Sequence, residues 1–232
     1  MSGEILVTER QALGLDEEHL VSVQGSCKIH PLVSAPLQSL AQQCSAPGCR
    51  LAIASGYRSF DRQLAIFNAK ARGEREVLDD RGQVLDMQRL SPREQLYAIL
   101  RFSALPGASR HHWGSDMDVY DPAAMPADYR VQLTLSECVP GGVFGDLHCE
   151  LDSHLQGSDF YRPYERDLGA IAPEPWHLSY RPLADAYVKV LSRDLLGDCL
   201  QSAELELKPV VMRHLDDIYR RYVQLEPGSG SN

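Results

Sequence analysis

No stretch of this chain approaches the roughly 18 uninterrupted apolar residues that a membrane helix needs, so neither a span nor a membrane partner is expected. Basic residues are also scarce: 23 Lys+Arg stand against 32 Asp+Glu, a net charge of −9. No Lys/Arg stripe with interleaved aromatics relieves that acidity, which argues against nucleic acid as a partner. The first residues, Met1-Ser2-Gly3-Glu4-Ile5-Leu6-Val7-Thr8-Glu9-Arg10, lack a basic start followed by an apolar run. They do not read as a secretory signal, and a cytoplasmic location is expected. Six cysteines are present (Cys27, Cys44, Cys49, Cys138, Cys149, Cys199), and without an export signal they are expected as reduced thiols. Cys44 and Cys49 are close, but no second Cys/His pair at zinc-finger spacing accompanies them, and they read as packing residues. Internal repeats are lacking, as is any linker within residues 30 to 200.

What is present suits one soluble core. A chain of 232 residues with 44% hydrophobic and 24% charged residues need not be divided. Residues 1–30 read as an irregular or weakly helical lead-in and 31–190 as the main domain. Residues 191–226 read as a helical extension packed on that domain, and 227–232 as a flexible tail. Leu32, Val33, Leu37, Leu40 and Ala41 recur at helical spacing up to Pro47-Gly48. Arg50 to Ser55 predicts a buried strand and Asp61 to Arg72 an amphipathic helix. The segments around Val77-Leu78 and Val84-Leu85 predict a hairpin or exposed flap. Ser91-Pro92-Arg93-Glu94 is a helix start, with Ser as N-cap, Pro in the first turn and an early acid. Met117 to Tyr120 and Trp176 to Tyr180 predict strands, with a helix from Asp146 to Leu155. Val210, Val211, Leu215 and Ile218 form a helical stripe that predicts packing on the same domain; an oligomer is possible but not indicated.

Two segments carry the chemistry: Ser109-Arg110-His111-His112-Trp113-Gly114-Ser115-Asp116-Met117-Asp118 and Glu174-Pro175-Trp176-His177. Together they offer two imidazoles and a carboxylate for a metal, with a coordination position left open. Glu174, three residues before a candidate ligand, could accept a proton from water, and that inventory is what a hydrolytic zinc centre requires. His111 and Asp118 are seven positions apart around Gly114, which suits a loop entering a strand; neighbouring antiparallel strands would bring His177 alongside. Taken singly, His111 reads as structural or surface-exposed and Trp176 as core; the ordered combination is what points to a metal. Period-two alternation places Asp116 and Asp118 on the same face. Asp116 could therefore be a competing ligand, an acceptor behind a ligand imidazole or a solvated charge, and His112 is an extra imidazole.

The pattern Ser-x-His-x-x-Gly-x-x-x-Asp, followed by Glu-x-Trp-His, resembles the VanY-type zinc carboxypeptidases, D-alanyl-D-alanine metallopeptidases whose fold is shared with lysostaphin and the hedgehog signalling domain. Ser55-Gly56-Tyr57-Arg58-Ser59, with Gln63 after it, is similar to the family's upstream segment, and the likeness covers roughly residues 50 to 182. It implies an α+β fold in which a small antiparallel sheet, flanked by helices, carries the zinc site. It also implies that His111, Asp118 and His177 bind Zn2+ and that Glu174 is the catalytic base. Arg58 would engage the substrate's carboxylate or scissile carbonyl, with Gln63 and Ser109 lining the same pocket. The chain departs from the family at Asp116, where a small apolar residue is usual. The implied activity is removal of a C-terminal D-alanine. A cytoplasmic location turns that toward an L,D-carboxypeptidase trimming murein tetrapeptides during recycling. A D,D-carboxypeptidase acting on D-Ala-D-Ala ends, or a non-catalytic zinc-binding domain, are the alternatives.

Overall fold

The computed structural model describes residues 5–23, 27–45 and 48–225. The expected tail at 227–232, and Pro47 of the expected helix stop, lie outside the described residues. The described part of the first 30 residues is more than a lead-in. A short helix α1 (Glu9–Ala12), closed by a Thr8/Gln11 capping box, is followed by an antiparallel pair, β1 (Val21–Ser22) and β2 (Lys28–Ile29). Ala12, Leu13 and Ile29 are buried in the main core. The lone apolar residues of this segment carry no periodicity, so their burial could not be read from spacing.

Helix α2 (Pro31–Cys44) runs into β3 (Ala52–Ser55) and then α3 (Phe60–Ala71), whose N-cap Ser59 hydroxyl accepts from the Arg62 N–H. The 77–86 segment makes one antiparallel bridge, Leu78 to Val84, and buries Val77. Helix α4 (Pro92–Phe102) starts at a Ser91/Glu94 capping box and turns Leu96, Ile99 and Leu100 into the core. A 3-10 turn at Arg110–Trp113 leads to β4 (Asp116–Tyr120); α5 (Leu135–Cys138), α6 (Gly145–Leu155), β5 (Phe160–Tyr161) and β6 (His177–Tyr180) follow. The chain ends in α7 (Arg181–Val190), α8 (Arg193–Ser202), α9 (Lys208–Arg213), α10 (Leu215–Ile218) and a π-turn at Tyr219–Val223. Val210, Val211, Leu215 and Ile218 are all buried in the same core as the sheet.

The main sheet is antiparallel throughout, in the order β3-β4-β6-β5. Its central strands are covered on both faces. Met117, Val119 and Leu178 enter the hydrophobic core, while Asp116, Asp118, His177 and Ser179 share the other face. Register places Asp118 opposite His177 and Asp116 opposite Ser179, so the polar residues meet as direct cross-strand pairs. On the other side of β4 the pairing slips between Ile53 and Ser55; this bulge sets Ser55 opposite Asp118 and leaves Ala54 exposed.

Gly114 makes the turn between the 3-10 segment and β4 at φ 64°, in the left-handed region. A Cβ there would come within 2.8 Å of Leu20 Cδ2 and 2.9 Å of the His30 nitrogen. Gly114→Ala is therefore expected to lower stability by at least ~1–2 kcal/mol. Urea unfolding checks this; an unchanged midpoint contradicts the steric account.

Candidate metal centre

Each potential ligand is held by a different local device. Trp113 stacks on Tyr187 of α7 with ring centroids 5.6 Å apart, and its indole N–H donates to the Ala12 carbonyl at 3.0 Å. That anchors the turn carrying His111. His111 Nδ1 lies 2.9 Å from the Gly56 carbonyl, an acceptor only, so the proton sits on Nδ1 and the Nε2 lone pair faces Asp118 at 3.3 Å. His177 is oriented the opposite way. Its Nε2 donates to Asp116 Oδ1 at 3.0 Å, leaving Nδ1 to face Asp118 Oδ1 at 3.3 Å and Glu174 Oε2 at 3.4 Å. Those two approaches lack hydrogen-bonding alignment. Asp118 Oδ1 and His177 Nδ1 are therefore buried polar atoms with no partner, a situation proteins rarely tolerate without water or an ion.

Donor atoms of His111, Asp118 and His177 all lie within 4.8 Å of one another, and all three residues are buried. The set suits a divalent cation: two lone-pair nitrogens and one carboxylate oxygen. Burial alone would raise the Asp118 pKa, but the neighbouring His111 and His177 hold it well below the usual carboxylate range. Burial would lower the His177 pKa, yet contacts with Asp116, Asp118 and Glu174 raise it well above its ordinary value. The space between these groups thus favours positive charge.

Asp116 is fully buried and is not one of the converging donors. Arg110 Nε donates to its Oδ1 at 2.7 Å, and Ser115 Oγ donates to its Oδ2 at 2.5 Å. Arg110 also donates to Ser179 Oγ at 2.7 Å and Tyr161 Oη at 2.8 Å. Burial raises the Asp116 pKa, but the Arg110 guanidinium and the bonds from His177 and Ser115 outweigh it and hold it at about 2. Asp116 is thus an ionised acceptor that fixes the His177 ring. His112 points away from the centre. Its Nε2 accepts from the Gly107 N–H at 3.1 Å, so Nδ1 carries the proton and donates to the Arg58 carbonyl at 2.5 Å. Burial pushes its pKa down to about 3, and this neutral ring joins the 3-10 turn to the segment after β3 that carries Arg58.

The model of the VanY family, described as D-alanyl-D-alanine carboxypeptidase, matches residues 26–183, more than half of the chain. The chain belongs to the VanY family. Two uncharacterized proteins of Haemophilus influenzae are similar to it. One is 31% identical over 121 residues, covering 51% of this chain and 92% of that protein. The other is 36% identical over 103 residues, covering 43% of this chain and 70% of that protein. Among solved structures, VanYB in complex with D-alanine-D-alanine aligns at a TM-score of 0.51 and 20% identity, covering 82% of this chain and 91% of that one. The LdcB LD-carboxypeptidase aligns at 0.51 and 22%, covering 84% and 77%. A glutamate-to-alanine mutant of the vancomycin resistance D,D-pentapeptidase VanY, in complex with Zn(II), aligns at 0.50 and 21%, covering 74% and 82%. These three share the α+β fold with its small antiparallel sheet.

In this VanY-family chain the centre opens on a cleft of about 990 Å³ whose walls include Arg58, Ser109, Glu174, Trp176 and the three clustered residues. Trp176 is half-buried in that wall and not in the core. Its backbone makes the sheet contact instead: its carbonyl accepts from the Val119 N–H at 2.9 Å. Glu174 is fixed through its backbone, donating to the Tyr164 carbonyl at 2.9 Å, while Arg162 Nε donates to the Pro175 carbonyl at 2.7 Å. Arg58 donates to Gln63 Oε1 at 2.9 Å and Ser55 Oγ at 3.3 Å, neither of them charged. Gln63 is fully buried behind Arg58, and its amide nitrogen donates to the Ala104 carbonyl at 2.7 Å. It orients the guanidinium and does not line the cleft. Ser109 lines the cleft without capping the 3-10 turn. Spacing did not reveal Arg110 or Tyr164, whose ring lies 4.9 Å from that of His177.

Proposed function

We propose that this chain is a zinc-dependent L,D-carboxypeptidase that removes the terminal D-alanine from murein tetrapeptides in peptidoglycan recycling. The observation that carries the hydrolytic reading is the pair of buried, partnerless atoms, Asp118 Oδ1 and His177 Nδ1, beside the His111 Nε2 lone pair and open to a cleft containing Glu174 and Arg58. His111, Asp118 and His177 would hold Zn2+, the ion named for the VanY mutant complex. When bound, zinc supplies Lewis acidity toward the peptide carbonyl and the attacking water.

The chain's own groups do the rest. Glu174 Oε2, facing the space between the ligands, takes the proton from water as the new C–O bond forms. It returns a proton to the amine nitrogen as the C–N bond breaks. Arg58, oriented by Gln63 and without a carboxylate partner among the described residues, presents a two-point fork to the substrate's C-terminal carboxylate. Ser109 lines the same pocket. Among the described residues no helix is long and apolar enough to cross a membrane. The cytoplasmic location expected from the sequence would make recycled peptides the substrate.

The test is mass spectrometry of the protein with murein tetrapeptide and pentapeptide, each with and without chelator. Chelator-sensitive loss of one alanine from the tetrapeptide is the expected result. Loss from the pentapeptide alone moves the assignment to a D,D-carboxypeptidase, as the family description suggests. Cleavage of neither, with zinc bound, overturns the D-alanine assignment and points to another peptide bond or to a non-catalytic zinc-binding domain.

A further inference from the structure

The turn that carries Glu174 is poor in donors. Pro173 and Pro175 flank the glutamate and have no N–H, so carbonyls carry most of the anchoring. The Glu174 carbonyl accepts from the His177 N–H at 3.0 Å, and the Trp176 carbonyl accepts from the Val119 N–H at 2.9 Å. Between them the Pro175 carbonyl takes a side-chain donor instead, Arg162 Nε at 2.7 Å. Among the described residues Arg162 is the only side chain that donates to the backbone of 173–177.

The guanidinium is itself held in place. Its side chain is 8% exposed, and both terminal nitrogens engage α6: Nη1 donates to Asp152, and Nη2 to His148 Nδ1 at 3.3 Å. His148 and Asp152 stand one turn apart on α6 and share a face, while Leu147 and Leu151 of the same helix are fully buried in the core. A guanidinium only donates, so His148 is the acceptor at Nδ1. Burial and the Arg162 charge push its pKa down to about 4, which keeps the ring neutral and able to accept. All three nitrogens of Arg162 thus join the Glu174 turn to a helix packed in the core. The metal-ligand cluster does not depend on this link. Asp118 and His177 are paired across β4 and β6, and Asp116 holds the His177 ring.

We propose that Arg162 is a positioning residue for peptide hydrolysis: by tying the Pro175 carbonyl to α6, it fixes where the Glu174 carboxylate stands relative to the metal-ligand cluster. This rests on the reading of Glu174 as the general base. Misplacing a reacting group by about 1 Å costs about a hundredfold in rate. An interaction that only sets the place of the base therefore acts on kcat and leaves substrate and metal binding alone.

The experiment is a double-mutant cycle on the zinc-loaded protein with murein tetrapeptide: wild type, Arg162→Met, Glu174→Gln and the double variant, each measured for kcat, KM and zinc affinity. Arg162→Met is expected to lower kcat roughly 10- to 100-fold, with KM and zinc affinity close to wild type. In the Glu174→Gln background the same substitution should cost less than about twofold, because a base already absent cannot be misplaced. A merely structural residue would lower both backgrounds equally. Equal losses in the two backgrounds, a parallel fall in zinc affinity, or an unchanged kcat in Arg162→Met overturns the proposal while leaving the general-base reading intact. Asp152→Ala removes an exposed partner of the guanidinium and runs the same cycle if Arg162→Met does not fold; a several-fold loss confined to the Glu174 background is expected. Near-wild-type rates in Glu174→Gln would defeat the general-base reading, and the role of Arg162 with it. A wild type that leaves the tetrapeptide and the pentapeptide intact would defeat the D-alanine assignment on which both rest.

Discussion

Glu174→Gln is expected to lower kcat for D-alanine release by about a hundred- to ten-thousand-fold while zinc stays bound at its wild-type stoichiometry. The magnitude is that of losing a positioned general base. The two effects separate because Glu174 is not among the converging donors: the buried cluster is His111, Asp118 and His177. Glutamine keeps the size of the side chain and leaves the backbone bonds to Tyr164 and His177 in place. What disappears is the proton acceptor 3.4 Å from His177 Nδ1. Metal analysis alongside single-turnover kinetics checks both halves. Near-wild-type rates would remove Glu174 from the mechanism, and loss of zinc would make it a ligand.

His111→Ala differs in kind. It deletes a donor whose Nδ1–H is already committed to Gly56, so zinc content and turnover should fall together. Equilibrium dialysis against a chelator distinguishes the two variants, since only His111→Ala should release metal more readily than wild type.

Much of this centre was legible in the amino-acid order because its parts are local. Ser-x-His-x-x-Gly-x-x-x-Asp encodes a turn, a left-handed glycine and a strand in ten residues. Glu-x-Trp-His encodes a short turn, closed by the bond from the His177 N–H to the Glu174 carbonyl at 3.0 Å, entering a second strand. Pairing those strands in antiparallel register is enough to bring Asp118 to His177. The roles that stayed open depend on contacts that register and packing decide. His112 beside His111 looked like a spare ligand, but the 3-10 turn directs it to Gly107 and the Arg58 carbonyl. Gln63 read as a pocket residue; the inward face of α3 buries it as the support of Arg58. The N-terminal residues read as a lead-in because Ala12, Leu13 and Ile29 are separated by turns and a strand pair, not repeated along one helix.

Asp116 is a carboxylate buried on the central strand, and Arg110 explains how that burial is sustained. Both are buried, and together with Ser115, Ser179, Tyr161 and His177 they form a closed polar network on the site face of the sheet. Removing one partner of a buried ion pair leaves the other charge unsolvated, so Arg110→Met is expected to destabilise the fold by about 3–5 kcal/mol. The double variant Arg110→Met/Asp116→Leu should recover most of that loss, since an apolar pair of similar volume avoids the desolvation penalty. Zinc affinity should not recover with it. Without the Asp116 carboxylate, nothing holds the proton on His177 Nε2 and directs Nδ1 toward Asp118, and losing such an acceptor typically weakens metal binding roughly 10- to 100-fold. Acid supplies an independent check with a defined sign. The Asp116 carboxyl is held at about 2, below its ordinary 3.8. Its contribution to stability is therefore complete above that ordinary value and is lost as pH falls through about 2. Chemical denaturation of the metal-free protein between about pH 5 and pH 2 should show a component of acid destabilisation that is missing from the double variant. A double variant that regains both stability and zinc affinity would reduce Asp116 to a partner for Arg110 and nothing more.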